Sequence, residues 1–508
     1  MKKNFISLFM LLPATLLLTS LSFATTKNPT NHEPLSKLSA STIPKTADTS
    51  GFDIILLIDS SGSMKQTDPH NYRKDAAKLF ISLLGDHDRV GIMSFGDAAT
   101  LLMPPLTISR KNRLKLFHAV DQIASRELTT NITDALQKGF EQLRSSVKKN
   151  RILLLMSDGK LALGSPEKDI AALAGLTRIM PELAKAGVKL YTVAFTQESD
   201  SAMLENLARD TGGFFRYAKS DQDVHVMFME IFEKIKSPDA IPFEGENFTI
   251  DREIQEAIVL VSKKAGTALA LIDPAGKKIS AASHADNLQW YTSKLFDMIT
   301  ITKPEIGKWS VKLSTNEGNR VFVITDLGLK SSFNDSFATR GETLLIDAWL
   351  EKEGKIITEP ALLENAAFTA EALGPDQRTV KFDLLAGGGA GKHASGLAPT
   401  IAGEYRVKIM VTGKTFKREK IIQFKAIEPP TPVVPPLVTR EVPTSTPPGP
   451  LSPPVALHPT EEISWAIVFL KLVLINLVVG LISGSIYIIK IKVSKKTVGT
   501  TRGKNDKG

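Results

Sequence analysis

Uninterrupted apolar runs alternate with helically spaced segments along the first half of the chain. Residues 54–58 and 152–156 are continuous apolar runs, a pattern typical of strands buried on both faces of a parallel sheet. Further strands are predicted at 89–95, 189–195 and 214–217. Apolar residues at three- and four-residue spacing predict helices at 72–84, 113–123, 132–147, 168–186 (broken by Pro181), 202–209 and 224–235. This order predicts a doubly wound, mostly parallel α/β sheet within residues 51–238.

The pattern changes beyond residue 239, where shorter apolar segments lie between turn residues. Strands are predicted at 254–262, 296–302, 309–313, 343–350, 368–373 and 403–411, with a turn at 273–276. The Gly-x-Tyr-x-Val segment at 403–407 resembles the late strand of immunoglobulin-like sandwiches. The expectation is a β-sandwich domain at 239–326 and an immunoglobulin-like β-sandwich domain at 327–427.

The N-terminal residues have the pattern of a secretory signal. Lys2 and Lys3 precede an apolar segment that reaches Leu21, and Ser22-Phe23-Ala24 is a small-x-small cleavage pattern. Residues 1–24 are therefore predicted to be a signal peptide; the alternative is an uncleaved N-terminal anchor. Residues 25–50, rich in Thr, Ser, Asn, Pro and Lys, are predicted to be a disordered linker.

The C-terminal residues predict an anchor on a stalk. Residues 428–460 are proline-rich, and an extended stalk of about thirty residues reaches up to about 90 Å. Residues 463–489 are long enough to span a bilayer, and the basic residues 490–508 are predicted to stay cytoplasmic. Lys471 either reaches the outer interface beside Trp465 or pairs with an acid of a partner helix. Gly480 and Gly484 favour helix packing or simply face lipid. The body would then lie in the periplasm or outside the cell.

Composition narrows the function classes. The formal net charge of the 508 residues is +9, and most of the excess lies in residues 490–508, so nucleic-acid binding loses its main support. The absence of cysteine excludes disulfides and thiolate chemistry. His70 and His87 lack a catalytic pattern and are interpreted as surface residues, so no enzymatic activity is expected. Residues 386–393 resemble a phosphate-binding loop but lack both its first glycine and its final hydroxyl residue. They are therefore predicted to form a hairpin loop.

Oxygen-bearing side chains follow two of the predicted buried strands. Asp59, Ser61 and Ser63 present one carboxylate and two hydroxyls from a single short loop, and Asp158 follows the run at 152–156. Ligands bind at the carboxyl ends of the strands in open α/β sheets, and hard oxygens suit divalent cations. The polar residues 129–134, which run into a helix, offer a further donor. The sequence therefore predicts a divalent-cation site.

The order D-x-S-x-S, then T-N-I-x-x-A-L, then S-D-G resembles the von Willebrand factor A family, which includes integrin inserted domains and has a Rossmann-like fold. The resemblance implies a metal-ion-dependent adhesion site made by Asp59, Ser61, Ser63, Thr130 and Asp158. Thr129 occupies a position where the family often has glycine, so Thr129 or Thr133 remains an alternative to Thr130. The DPxG turn at 273–276 and the PExGxW segment at 304–309 look like the β domain of chloride-channel regulators and hemicentin-type proteins.

The resemblance also implies a mechanism. A bound Mg²⁺, or else Mn²⁺ or Ca²⁺, would be completed by an acidic residue of a protein partner, and the helix at 224–235 would be the moving element. The expected function is a membrane-anchored extracytoplasmic binding protein. The alternative is an envelope scaffold that assembles through its β domains and membrane helix, in which the metal only stabilises the loops. The sequence does not indicate an oligomeric state.

Overall fold

The computed structural model describes residues 51–146, 148–158, 161–195, 199–283, 285–315 and 317–429, all within one compact unit. The predicted signal peptide and its uncleaved-anchor alternative, the linker at 25–50, all but the first residues of the stalk, the span at 463–489 with Lys471, and the tail lie outside these residues. None of the described helices is long and apolar enough to cross a membrane.

The described residues within 51–236 alternate strands and helices. The elements are β1 Phe52–Asp59, α1 Met64–Thr67, α2 Tyr72–Leu83, β2 Arg89–Phe95, β3 Thr100–Thr107, α3 Arg110–Asp121, α4 Ile132–Arg144, β4 Asn150–Ser157, α5 Pro166–Lys185, β5 Val188–Phe195, α6 Ser201–Asp210, β6 Phe214–Ala218 and α7 Val224–Lys236. The sheet order is β3-β2-β1-β4-β5-β6, and only β3 runs antiparallel to its neighbour. The predicted α/β sheet is confirmed.

Strand β1 shows why its apolar run is unbroken. Leu56 pairs with Ile92 of β2 on one side and with Leu154 of β4 on the other, so β1 is central. Successive side chains point to opposite faces of a strand. Leu56 therefore packs with α2, α3 and α7, whereas Leu57 packs with α4, α5 and α6. Both faces need apolar residues because helices cover both.

Two features of this sheet differ from the prediction. Strand β3 has no counterpart in the predicted set; its Pro104 and Pro105 are tolerated because β3 is the edge strand. Helix α5 was expected to break at Pro181, but it continues from Pro166 to Lys185. Buried Ile179 and Leu183 anchor α5 on either side of the proline, so packing offsets the lost backbone hydrogen bond.

The remaining described residues are rich in strands. They form β7 Ala240–Ile241, β8 Asn247–Ile250, β9 Ile254–Ser262, β10 Ala270–Ile272, β11 Lys278–Ser280, β12 Leu288–Thr292, β13 Phe296–Thr302, β14 Gly307–Val311, β15 Arg320–Thr325, β16 Leu327–Lys330, β17 Phe337–Thr339, β18 Leu344–Lys352, β19 Lys355–Ile356, α8 Pro360–Leu363, β20 Ala367–Leu373, β21 Thr379–Asp383, β22 Leu385–Ala386, β23 Lys392–Leu397, β24 Gly403–Thr412 and β25 Lys417–Ile427. All six strands predicted in this part are present, with shifts of two residues or fewer at their ends.

One large sheet crosses the boundary predicted at residue 327. Its order is β12-β13-β9-β15-β7-β25-β24-β20-β21, and β17 pairs with β25. The short strand β7 makes the junction, because Ala240 pairs with Phe322 of β15 and with Glu419 of β25. A four-stranded sheet, β11-β10-β14-β8, packs over one half of the large sheet, and a five-stranded sheet built on β16-β18-β23-β22 packs over the other.

The glycine-rich residues 386–393 form a hairpin loop, as predicted. Ala386 of β22 pairs with His393 of β23, and the Gly387 N–H donates to the Lys392 carbonyl at 3.0 Å. The ring of His393 stacks on Phe368 with centroids 3.8 Å apart. No helix follows this loop in the described part of the chain, so the geometry that a phosphate-binding loop requires is missing.

Candidate metal centre

The predicted site residues lie at the topological switch point of the six-stranded sheet. Asp59 is the last residue of β1, and Asp158 directly follows β4. From these two adjacent parallel strands the sheet continues in opposite directions, to β2 and β3 on one side and to β5 and β6 on the other. The connections diverge here and leave a crevice at the carboxyl ends of the strands.

Asp59 is fully buried and is held by two hydrogen bonds. Its Oδ1 accepts from the Ser61 N–H at 2.8 Å, and its Oδ2 accepts from the Ser157 hydroxyl at 2.6 Å. Burial, followed by the negative charge of Asp158, raises the pKa of Asp59 to about 6. Two carboxyl groups therefore lie close together in a poorly solvated place.

A chain of hydrogen bonds links the loop after β1 to the end of β4. The hydroxyls of Ser61 and Ser63 lie 2.9 Å apart, and the Ser63 hydroxyl donates to Oδ1 of Asp158 at 2.9 Å. Thr67, in α1, donates its hydroxyl to the other oxygen of Asp158. Four of the five predicted site residues, Asp59, Ser61, Ser63 and Asp158, are thus brought together.

The segment before α4 places the fifth residue beside them. Glu127 forms a parallel bridge with Ser61, and Thr130 forms an antiparallel bridge with Ala162, which follows Asp158 along the chain. Residues 127–130 therefore lie between the two loops that carry the other site residues. We call Asp59, Ser61, Ser63, Thr130 and Asp158 the oxygen cluster.

The structure distinguishes the three threonines that the sequence left open. The Thr129 hydroxyl donates to Oδ1 of Asp97 at 2.8 Å, and the Thr133 hydroxyl donates to the Ala172 carbonyl at 2.8 Å. The Thr130 hydroxyl makes no hydrogen bond to any other described residue, and Thr130 is buried beside the bridge to Ala162. Thr130 is the threonine whose oxygen is not committed elsewhere.

Sequence reasoning missed the residues that support the cluster. Glu127 accepts from the Ser60 hydroxyl at 2.9 Å and from the Asp97 N–H at 2.6 Å. Gly96 makes this approach feasible, because a Cβ at this position would lie 2.4 Å from Cβ of Glu127. Asp97 follows β2 as Asp158 follows β4, and this repeated pattern was the available signal. Nothing in the local sequence marked Glu127 or Thr67.

The donor set suits a hard divalent cation. The oxygen cluster offers two carboxylates and three hydroxyls, and oxygen ligands of this kind are preferred by Mg²⁺, Mn²⁺ and Ca²⁺. A cation would also relieve the repulsion between Asp59 and Asp158. No group of three or more His, Asp or Glu side chains in the described residues is arranged to hold a metal. His70 and His87 are exposed beside Asp221 and Asp86, as the surface interpretation predicted.

The sequence comparisons agree with this geometry. The family model described as von Willebrand factor type A domain matches residues 53–233. Residues 53–233 form a von Willebrand factor type A domain. The family resemblance inferred from the motifs is confirmed, and domains of this family bind a divalent metal at a site of this type.

Known relatives match only part of this chain. It is 24% identical over 223 residues to inter-alpha-trypsin inhibitor heavy chain H4 of Homo sapiens, covering 42% of this chain and 23% of that protein. It is 23% identical over 332 residues to calcium-activated chloride channel regulator 2 of Mus musculus, covering 61% of this chain and 33% of that protein. The match to each of these curated relatives thus spans a third or less of the relative's length.

The chain also aligns with a solved structure. A von Willebrand factor type A structure from Catenulispora acidiphila aligns with 75% of this chain and 66% of its own length, at 13% identity and a TM-score of 0.32.

Proposed function

We propose that the protein captures a protein partner through a divalent metal held by the oxygen cluster and completed by a carboxylate of that partner. Von Willebrand factor type A domains typically mediate protein–protein adhesion through such a metal site. The observation that carries the proposal is the convergence of Asp59, Ser61, Ser63 and Asp158 through hydrogen bonds, with Thr130 in the adjoining segment.

The hydrogen bonds of Asp59 favour a site that accepts an outside carboxylate. Each oxygen of Asp59 already accepts one hydrogen bond, from the Ser61 N–H and from the Ser157 hydroxyl. This favours metal binding by Asp59 through a water molecule. The hydroxyl groups of the oxygen cluster contribute no charge to the metal. A divalent ion held in this way supplies residual positive charge. A partner glutamate or aspartate would supply the remaining anionic oxygen.

The surface around the cluster is open enough for a protein partner. Ser63 is exposed, and the Leu128 side chain is 92% exposed within the segment that contributes Thr130. A neighbouring groove between α4 and α5 has a volume of about 650 Å³ and includes Asn131, Lys168 and Arg178 in its lining. An acidic residue with an apolar neighbour is the partner feature that fits this surface.

The cellular setting belongs to the same proposal. We propose that residues 1–24 direct secretion, that residues 463–489 anchor the chain once across the cell membrane, and that the body is periplasmic or extracellular. The strand-rich residues 239–326 and 327–427 would be two β-sandwich domains that carry the binding domain. A binding role without catalysis fits this arrangement, with Mg²⁺ as the favoured metal and Mn²⁺ or Ca²⁺ as alternatives.

The test is capture of envelope proteins by the full-length chain under three conditions: with Mg²⁺, with a chelator, and with the Asp59→Ala variant in Mg²⁺. A partner retained only by the unaltered chain in Mg²⁺ is the expected result. Asp376→Ala, which changes an acid in a turn remote in sequence from the cluster, is the control. Equal capture in all three conditions would contradict the proposal and favour the scaffold alternative, in which the β-rich regions and membrane helix bind partners.

A further inference from the structure

A second site candidate lies at the opposite end of the same sheet. A cleft of about 380 Å³ is bordered by the amino ends of β1, β4 and β5, the end of α7, and residues 330–351 and 420 of the second strand-rich region. The eight residues of β1 place it roughly 25 Å from the oxygen cluster. We call it the basic cleft.

The lining of the basic cleft is strongly cationic. Among the described residues that line the cleft, one is acidic, Glu351. Seven are basic: Lys149, Arg151, Lys189, Lys234, Lys236, Lys330 and Lys420. Lys236 is paired with Asp88 at 3.0 Å, and Lys330 is paired with Asp239 at 2.8 Å. The other five cations form no ion pair with a described carboxylate. Positive charge therefore exceeds negative charge even after the paired residues are set aside.

Two of these lysines are held in place by neutral acceptors. Lys234 donates to the carbonyls of Asn334 at 2.9 Å and Asp335 at 2.7 Å, and Lys420 donates to the carbonyl of Ser237 at 3.0 Å and to its hydroxyl at 2.8 Å. Carbonyl and hydroxyl oxygens orient an ammonium group without cancelling its charge. Burial, followed by the charges of Arg216 and Lys189, lowers the pKa of Lys234 to about 7, and burial lowers that of Lys420 to about 8.

Other lining residues supply unused donors. Lys149 and Lys189 are exposed and make no hydrogen bond or ion pair through their ammonium groups among the described residues. Arg151 uses Nη2 to donate to the Ala186 carbonyl, while its buried Nε has no acceptor. Trp349 likewise has a buried Nε1 without an acceptor. The ammonium groups of Lys149 and Lys189 are therefore available to a ligand in the cleft.

We propose that the basic cleft binds a compact, multiply charged oxyanion of the phosphate class. Ammonium and guanidinium groups are the protein's usual phosphate ligands, and the volume of the cleft suits a small molecule or a headgroup. Lys149 and Lys189 contact the anion directly, and the bound anion favours the charged forms of Lys234 and Lys420 behind them. The anion comes either from a soluble phosphorylated compound or from an anionic lipid headgroup.

In the first experiment, the full-length chain is titrated with inorganic pyrophosphate in a buffer that contains a metal chelator. Binding is measured by calorimetry and by the shift in thermal unfolding. Saturable binding that weakens with salt and raises the unfolding temperature is expected. Lys149→Gln combined with Lys189→Gln should weaken binding roughly tenfold or more, because two charge-assisted contacts are lost. Both residues are exposed, so the fold should persist. Absence of binding, or unchanged binding in this double variant, would overturn the proposal.

Two controls give the result its specificity. Lys111→Gln combined with Lys308→Gln changes two exposed lysines outside the cleft lining and should leave pyrophosphate binding unchanged. Asp59→Ala should also bind pyrophosphate normally, which separates this site from the metal-dependent one. Vesicles with phosphatidylglycerol, compared with neutral vesicles, identify the source: binding that depends on Lys149 and Lys189 assigns the cleft to a headgroup, and pyrophosphate binding alone assigns it to a soluble anion.

Discussion

Two surfaces of the von Willebrand factor type A domain are built on opposite principles. At the carboxyl ends of β1 and β4, polar side chains are hydrogen-bonded to one another, and the surrounding Ser63, Asp97 and Leu128 are exposed. The surface made by α7 is instead covered by the strand-rich regions. There Phe232 packs edge-to-face on Phe322 of β15 with centroids 5.4 Å apart, and buried Glu233 pairs with Arg320.

The exposed surface is therefore suited to partner binding, whereas the covered surface attaches the α/β domain to the strand-rich region. The apolar cluster on the α2, α3 and α7 side continues into the strand-rich region through Ile258, Leu260 and Phe296, whereas the cluster on the α4, α5 and α6 side contains only residues of the α/β domain. Helix α7, predicted to be the moving element, is therefore held by the strand-rich region together with α2 and α3. Motion of α7 stays a prediction, and it would have to break the Phe232–Phe322 and Glu233–Arg320 contacts.

The largest expected effect is on the covered surface. Arg320→Met leaves the buried carboxylate of Glu233 without its partner, so the free energy of unfolding should fall by about 3–5 kcal/mol. Adding Glu233→Leu removes the stranded charge and should restore much of the loss. Urea denaturation measures both. Arg378→Met, at an exposed pair with Asp376, is the control and should change little. A single variant as stable as the control would contradict the argument.

The next effect depends on pH at the same interface. His225 of α7 has Nδ1 2.8 Å from the Gln222 carbonyl and Nε2 2.8 Å from the Ser262 hydroxyl, and it stacks on Phe296. Burial lowers its pKa from 6.5 to about 4, although the hydrogen bond to the Gln222 carbonyl and the nearby charges of Asp223 and Asp75 oppose the shift. The unfolded chain then binds a proton more readily than the folded one. Stability is full above pH 6.5 and falls towards pH 4, by about 3 kcal/mol.

The measurement is the difference in unfolding free energy between the unaltered chain and His225→Gln from pH 7.5 to 4. The difference should change in favour of the variant as pH falls, since glutamine does not titrate. Lys111→Gln, at an exposed position, is the control for a glutamine substitution at the surface. Parallel curves for the unaltered chain and His225→Gln would rule out this source of acid sensitivity.

At the oxygen cluster, substitution of a hydroxyl should change metal affinity more than stability. Thr130→Val should weaken Mg²⁺ binding roughly tenfold, in the range seen when groups around a metal are removed. Thr129→Val is the matched control and should have the smaller effect, because its hydroxyl donates to Asp97. Calorimetric titration with Mg²⁺ checks both. A larger loss for Thr129→Val would reassign the donor.

The smallest expected effect concerns partner contact beside the metal. Leu128→Ala should weaken metal-dependent capture severalfold, equivalent to about 1 kcal/mol of lost apolar burial, with no change in the unfolding temperature. Leu114→Ala, 66% exposed on α3, is the control for general surface hydrophobicity. Equal capture by both variants would remove Leu128 from the binding surface.

The sequence by itself determined the α/β sheet and most of the oxygen cluster. Both follow from local patterns: an apolar run such as 54–58 is typical of a strand covered on both faces, and an acid directly after such a strand lies at its carboxyl end. Asp59 and Asp158 were predictable because each follows or ends an apolar run that itself predicts a buried strand. Parallel pairing then brings the two strand ends together.

Only the tertiary structure decided the features that depend on partners distant along the chain. The choice among Thr129, Thr130 and Thr133 rests on Asp97 and Ala172, which local sequence does not connect to them. The continuity of the large sheet rests on Ala240 meeting Glu419, and the basic cleft collects residues from 149 to 420. Periodicity records which face of an element is buried, but not what it is buried against, because that is set by packing between elements.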